Sequence, residues 1–226
     1  MFELKGIEYV STPRPGARRG GGTALACSAA RFVMIKLNVQ IPKPLEACFA
    51  LVKPKHPTGK TNKFICCSFY SPPKSRMNNK LAEFLVATLD ILRSEHPDTR
   101  VILRADINNM KLDLLQSLDP TLKQTVCGVT NKNQDKTLDV LIMDCQDLYQ
   151  KPTILPPMTV DVGKTGVDSD HNGVEALPRT NLAMVGSSLR DKIMVQPFPE
   201  SGLAEFGCKL MAEDWAILQE VDMAAT

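Results

Sequence analysis

The strongest constraint on this chain is an apolar stripe with helical spacing set between two apolar runs. Leu81, Phe84, Leu85, Thr88, Leu89 and Leu92 recur at i, i+3, i+4, i+7, i+8 and i+11. That spacing predicts an amphipathic helix over residues 79–94, closed by Pro97. Upstream, residues 23–27, 32–37, 45–52 and 63–70 are short apolar runs bounded by Gly, Pro or Lys, and they read as strands. Downstream, Val101-Ile102-Leu103 opens a run of the buried-strand type that ends at Asp106. A short helix is expected over 112–118 and a further buried strand over 138–143. Strands that crowd the first half, with a helix between strands in the middle, favour a mixed α/β sandwich over a purely parallel sheet.

The remaining segments read less regularly. Residues 11–22 are rich in Pro, Gly and Arg and are expected as loop, as is the basic stretch 53–63. Residues 151–172 carry so much Pro, Gly, Thr and Asp that they are expected as loop with one weak strand, before a short strand at 174–177. Residues 179–200 read as a linker and 203–221 as a final helix that starts near Ser201. The domain expectation is therefore 1–178 for the main unit and 179–226 for linker and helix.

Composition narrows the setting. No stretch reaches the roughly 18 apolar residues of a membrane helix, and the first residues lack the basic-then-apolar order of a signal peptide. No membrane partner is expected. The cysteines number 7 and lack paired metal spacing, which argues against zinc and for free thiols in a reducing compartment, nuclear or cytoplasmic. Charge is unevenly split. Residues 1–104 hold 17 Lys and Arg against 7 Asp and Glu, whereas 105–226 hold 10 against 18. A basic half suits a polyanion and an acidic half suits a metal, unless the two interleave in space.

Four polar groups stand at the ends of predicted strands, where a sheet fixes the backbone and leaves the tips free for chemistry. Asp106 and Asn108 fall on one face if the chain stays extended; a carboxylate beside an amide can work on a phosphodiester, or simply form an Asx turn. Asp139 lies inside an apolar run, so it needs a His⁺ or metal partner unless it reaches water at an edge. Asp168-Ser169-Asp170-His171 joins acids to the chain's one histidine that does not precede a proline. It can combine metal binding with acid–base work, or be a solvated turn. Tyr70 closes a strand before Pro72 and Pro73, and its hydroxyl can either touch a phosphate or pack.

Taken in order, Tyr70-Ser71-Pro72-Pro73, the amphipathic helix, Asp106-Ile107-Asn108, Leu138-Asp139 and Ser169-Asp170-His171 resemble the endonuclease/exonuclease/phosphatase family. Arg18-Arg19-Gly20-Gly21-Gly22-Thr23 resembles the lead-in to a strand in the endonuclease domain of non-LTR retrotransposon polyproteins, and the tail resembles the linker helix of such proteins. The resemblance implies a four-layer α/β sandwich, two mixed sheets face to face with helices outside. It implies DNA phosphodiester cleavage with Mg²⁺ or Mn²⁺, DNA as partner and a reverse transcriptase domain in the parent polyprotein; it leaves oligomeric state open. By the same resemblance, Asp106 orients or deprotonates the attacking water, Asn108 and Tyr70 hold the phosphate, Asp139 orients His171, His171 stabilises the transition state or acts as acid–base partner, and Asp170 binds the metal.

The pattern has departures. The Asn-bearing strand and the strand with the main metal-binding Glu precede, in the family, the segment matching residues 1–9. The resemblance therefore implies an N-terminally shortened domain lacking its first strands, with weakened metal binding and weak or no activity. Ala105 stands where Gly is usual, Ile107 where Phe is common, and Asn131 where an Arg contact to phosphate is frequent. Two other expectations compete: a non-catalytic nucleic-acid-binding or interaction module, and a phosphatase or phospholipid hydrolase of the same fold.

Overall fold

The computed structural model describes residues 6–14, 22–56, 63–162 and 165–179. The expected linker and final helix therefore lie outside the described residues, apart from Arg179. A six-stranded sheet forms the centre. Its strands are β3 (Phe32–Lys36), β4 (Glu46–Pro54), β5 (Phe64–Tyr70), β6 (Arg100–Asp106), β7 (Lys123–Gln124) and β8 (Asp139–Met143), in the order β3-β4-β5-β6-β8-β7. β5 and β6 pair in parallel, and the other neighbours run antiparallel. A parallel pair needs a long crossover, which is the role of helix α1 (Asn78–Glu95). The predicted helix and strands match α1, β3, β4, β5, β6 and β8 to within about two residues, the usual uncertainty of element ends, whereas the two-residue β7 is not among the expected strands.

Period-two alternation gives the sheet two different faces. Phe49, Leu51, Ile65, Cys67, Phe69, Val101 and Leu103 point to one side, where they bury against Leu81, Leu85, Leu89 and Leu92 of α1 and Leu115 of α2 (Asp113–Leu118). Thr88 completes the stripe and is buried with it. The partnership of α1 with the sheet is anchored at one end by Arg93, which donates to Asp119 at 2.6 Å and to Asp144 at 3.2 Å. The opposite face of β4 and β5 carries a hairpin, β1 (Ile7–Pro13) with β2 (Gly22–Ser28).

Two sequence expectations fail here. Residues 11–13, expected as loop, belong to β1, whose residues 7–10 carried no strand assignment. The strand alternates exposed and half-buried positions with Glu and Ser among them, so its apolar signal is thin. Residues 151–172, expected as loop with one weak strand before a short strand at 174–177, mostly form a second hairpin: β9 (Thr153–Val162) with β10 (Thr165–Glu175). Pro156 and Pro157 misled the reading. A two-stranded hairpin has a free edge on each strand, where a missing N–H costs no ladder bond. Gly22 is required where it stands, at φ 121°, because a Cβ there would lie 2.5 Å from the Thr12 carbonyl oxygen.

The thiols are free among the described residues. Cys48, Cys67 and Cys145 are buried, and Cys127 alone is exposed. Burial pushes the Cys66 thiol up to about 12, which leaves it unreactive. Among the described residues no helix is long and apolar enough to cross a membrane.

Leu85 is fully buried in the α1 stripe, whereas Ile91 on the opposite face is 60% exposed. Leu85→Ala is expected to lower unfolding free energy by about 2–5 kcal/mol, and Ile91→Ala to change it by less than about 0.5 kcal/mol. Urea unfolding of both variants checks the assignment of the buried face.

Candidate active site

Strand register assembles the site. Glu46 pairs with Tyr70, Tyr70 with Asp106, and Asp106 with Asp139. Direct partners on neighbouring strands point to the same face, so these four side chains form one row across β4, β5, β6 and β8. At roughly 4.8 Å per strand the row spans about 14 Å. It lies on the face away from α1, at the end of the sheet where β5 and β6 finish.

His171 reaches the end of this row from the β9–β10 hairpin. The ladder is irregular between Asp168 and Asn172, and that bulge holds Ser169, Asp170 and His171. Bulges re-aim side chains in this way. The His171 Nδ1–H donates to Asp139 Oδ2 at 2.7 Å, and the His171 backbone N–H donates to Ser169 Oγ at 3.1 Å. Asp139 therefore has the histidine partner that a half-buried acid in an apolar strand requires. Asp170 stands apart. It is more than half exposed, and its Oδ1 lies 3.9 Å from His171 Nε2.

Asp106 and Asn108 differ from the extended expectation. The strand ends at Asp106, and Asn108 takes φ 44°, a left-handed geometry that asparagine tolerates. The Asn108 backbone N–H donates to Asp106 Oδ1 at 3.2 Å, which is the Asx turn. Its Nδ2 donates to the same oxygen and to the Ser71 carbonyl, both at 2.9 Å. Asn108 thus fixes the Asp106 carboxylate. The same segment is pinned by Ser71, which is fully buried and whose backbone N–H donates to the Asp106 carbonyl at 3.0 Å.

Three supporting residues were not read as site residues from sequence. Asn131 entered only as a missing Arg. It is buried, its Oδ1 accepts from the Gln134 N–H at 3.0 Å, and its Nδ2 is therefore turned to His171 Nε2 at 3.2 Å. Thr130, also buried, accepts through Oγ1 from the backbone N–H groups of Leu138 and Asp139, both at 2.8 Å, and so sets the start of β8. Glu46 is 6% exposed and receives Arg14 Nε at 2.8 Å. A single acid in the apolar run 45–52 is the same signal that singled out Asp139. Tyr70 closes β5, and its ring lies under the Arg14 guanidinium at 5.2 Å.

These contacts shift two ionisations. Burial raises the Asp106 carboxyl above its ordinary value, the Asn108 N–H bonds counter this, and the Asp139 charge raises it further. Burial alone would lower His171; the hydrogen bond and charge of Asp139, helped by Asp106 and Asp170, outweigh it and raise the imidazole above 6.5. Asn131 acts the other way, because its Nδ2–H can donate only to unprotonated Nε2. A carboxylate at 2.7 Å is the stronger influence.

The architecture is shared with known proteins. An endonuclease/exonuclease/phosphatase family protein from Bacteroides thetaiotaomicron is similar at TM-score 0.58 and 15% identity, over 76% of this chain and 73% of its own. The chain has the endonuclease/exonuclease/phosphatase fold. A mannosyl-6-phosphatase of the same organism is similar at TM-score 0.57 and 14% identity, over 77% of this chain and 78% of its own. The human Nocturnin catalytic domain, with a bound sulfate anion, is similar at TM-score 0.50 and 12% identity, over 76% and 73%. No family model and no curated protein sequence matches the chain. The mixed α/β sandwich expected from sequence is therefore the observed fold class.

Among the described residues, no group of three or more His, Cys, Asp or Glu side chains converges as a metal site. Asp139 is engaged by His171, and one oxygen of Asp106 accepts twice from Asn108. Of the described site carboxylates, Asp170 is the one more than half exposed. Mg²⁺ is held through one or two carboxylates together with waters and substrate phosphate, so Asp170 would bind it jointly with water and substrate oxygens.

Two measurements check this geometry. NMR titration of the His171 ring is expected to give a midpoint above 6.5, falling in Asp139→Asn; a midpoint indifferent to that substitution contradicts the pairing. By linkage, the pair's contribution to stability is complete below about pH 6.5 and is lost as pH rises through the raised value. Thr130→Val leaves two buried N–H groups without an acceptor and is expected to cost at least about 2 kcal/mol in thermal or urea unfolding.

Proposed function

We propose that this chain is a retroelement-type DNA endonuclease domain that hydrolyses phosphodiesters weakly. The observation that carries the reading is the in-register row Tyr70, Asp106 and Asp139, with His171 fixed on Asp139. It brings together, at one sheet end, the residues whose order in the sequence resembles that family. The Arg-Gly-Gly-Gly lead-in to β2 supports the retroelement branch.

In this reading Asp106 takes a proton from the attacking water. Its carboxyl, raised above the ordinary value by burial, is in its ionised form a better base than an ordinary carboxylate. His171, whose imidazole Asp139 biases toward the protonated form, would in that form carry positive charge to the phosphoryl oxygens as negative charge develops there, or give its proton to the leaving oxygen. Asp139 holds the imidazole in one tautomer. Both hydrogens of the Asn108 side-chain amide are already donated, so its contribution is to orient Asp106 unless substrate displaces the Ser71 bond. Tyr70 presents its hydroxyl beside the phosphate. Mg²⁺ or Mn²⁺ would be drawn to Asp170 and substrate oxygens; because the described donors do not hold it alone, no step is assigned to it, and turnover is expected to be slow.

A second reading has a specific support: the mannosyl-6-phosphatase is as similar in fold as the family protein of the same organism. The same row could serve a phosphomonoester, since the fold does not fix the substrate.

Nicking of supercoiled plasmid with Mg²⁺ or Mn²⁺ decides between them. Slow nicking by the wild-type chain, lost by about a hundredfold or more in His171→Ala, is the expected outcome. Release of phosphate from a sugar phosphate without nicking puts the phosphatase reading first, and nicking unaffected by His171→Ala overturns the site assignment.

A further inference from the structure

Glu46 and Arg14 stand at the head of the row, and the mechanism above uses neither. Glu46 is almost fully buried, and its Oε2 has no hydrogen-bond partner among the described residues. Burying a carboxylate costs several kcal/mol unless its partners compensate, and a surface arginine needs no such anchor. Here the anchor fixes the arginine twice over. Arg14 Nε donates to Glu46 Oε1 at 2.8 Å, and the guanidinium plane rests over the Tyr70 ring with its carbon 5.2 Å from the centroid. Among the described residues its Nη groups make no hydrogen bond, and the side chain is 30% exposed. Arg14, Glu46 and Tyr70 line a cavity of about 290 Å³, floored by Pro72, Ser75 and Met77, beside the Tyr70 end of the row.

The charge along the row gives this arrangement a use. A phosphate at Asp106 and His171 meets the carboxylates of Asp106, Asp139 and Asp170. A nucleic acid strand laid along such a row needs a fixed cation to offset them. The guanidinium fork matches phosphate oxygens through paired N–H donors, and Arg14 has its two Nη groups in hand.

We propose that Arg14 binds the phosphate neighbouring the one that is cleaved, with the Tyr70 ring as its platform and Glu46 as the positioning residue. The proposal rests on the nucleic-acid reading of the site. A small phosphomonoester has no second phosphate to place there.

The test is binding of a fluorescein-labelled DNA duplex by the full chain, followed by anisotropy across a salt series with no divalent ion added. Arg14→Ala is expected to weaken binding about tenfold at low salt and to reduce the slope of log K against log salt by about one phosphate contact. Arg14→Lys should keep part of the slope, because it keeps charge without the fork. Glu46→Gln should keep the slope, since its carbonyl still accepts from Nε, whereas Glu46→Ala should lose it although Arg14 is present. A purely structural ion pair would lower thermal stability and leave the slope unchanged. Equal slopes in the wild type and Arg14→Ala overturn the inference and leave the nuclease reading standing. If the wild type binds no DNA, the nuclease reading falls. The inference, which rests on that reading, then falls with it.

Discussion

The pairing register of β4, β5, β6 and β8 governs both the core and the candidate site. Because side chains alternate with a period of two, the register that turns Phe49, Ile65, Phe69 and Leu103 toward α1 turns Glu46, Tyr70, Asp106 and Asp139 to the other face. A slip by one residue would expose the core set and bury the acids. Hydrophobic burial against α1 therefore aligns the polar row. The free energy that folds the sheet also places four functional groups in order, with no separate interaction needed to gather them.

His171 is the exception, since it comes from outside the sheet. A two-stranded hairpin such as β9–β10 is marginal alone, and its tie to the sheet runs through residues 129–132. The Asn172 N–H donates to the Thr130 carbonyl at 2.7 Å, the Lys132 N–H donates to the Asp170 carbonyl at 3.2 Å, and Asn131 bridges to His171 through backbone and side chain. Thr130 in turn holds the first residues of β8. One buried threonine thus links the strand that bears Asp139 to the hairpin that bears His171. The imidazole–carboxylate bond closes a loop of contacts whose other links run through the Thr130 hydroxyl, the Asn131 side chain and the backbone.

Periodicity made the sheet and α1 legible, because both have a face that water rejects. Asp139 and His171 were legible as problems of cost: a buried acid needs a partner, and one was found. The same reasoning applies to Glu46, which stands second in its apolar run as Asp139 does in its own, and it calls for a cationic partner there without naming Arg14. The hairpin β9–β10 was hidden because prolines and glycines suit an edge strand as well as a loop. Asn131 was hidden for another reason. Its role is a hydrogen bond between residues 40 apart in sequence, and no local pattern encodes that. The bulge that aims His171 is equally silent in sequence, since it is a mismatch between two strands rather than a property of either.

The row also has an electrostatic order that no single residue reveals. Three carboxylates lie along it, and each end has a basic partner. Arg14 holds Glu46 at one end, and His171 holds Asp139 at the other. Asp106 sits between them, and among the described residues no ion pair reaches it; its compensation is two N–H donors from Asn108. Burial first, and the neighbouring Asp139 charge second, raise its ionisation above the ordinary value, against the Asn108 bonds and the His171 charge. A middle carboxylate left without a cation is where a proton gained from water is most readily accommodated. The same arrangement explains why Asp139 cannot take that role, as its oxygen is committed to the imidazole. Acid and base are separated by position in the row: the end carboxylate raises a histidine, and the central one is raised chiefly by its own burial.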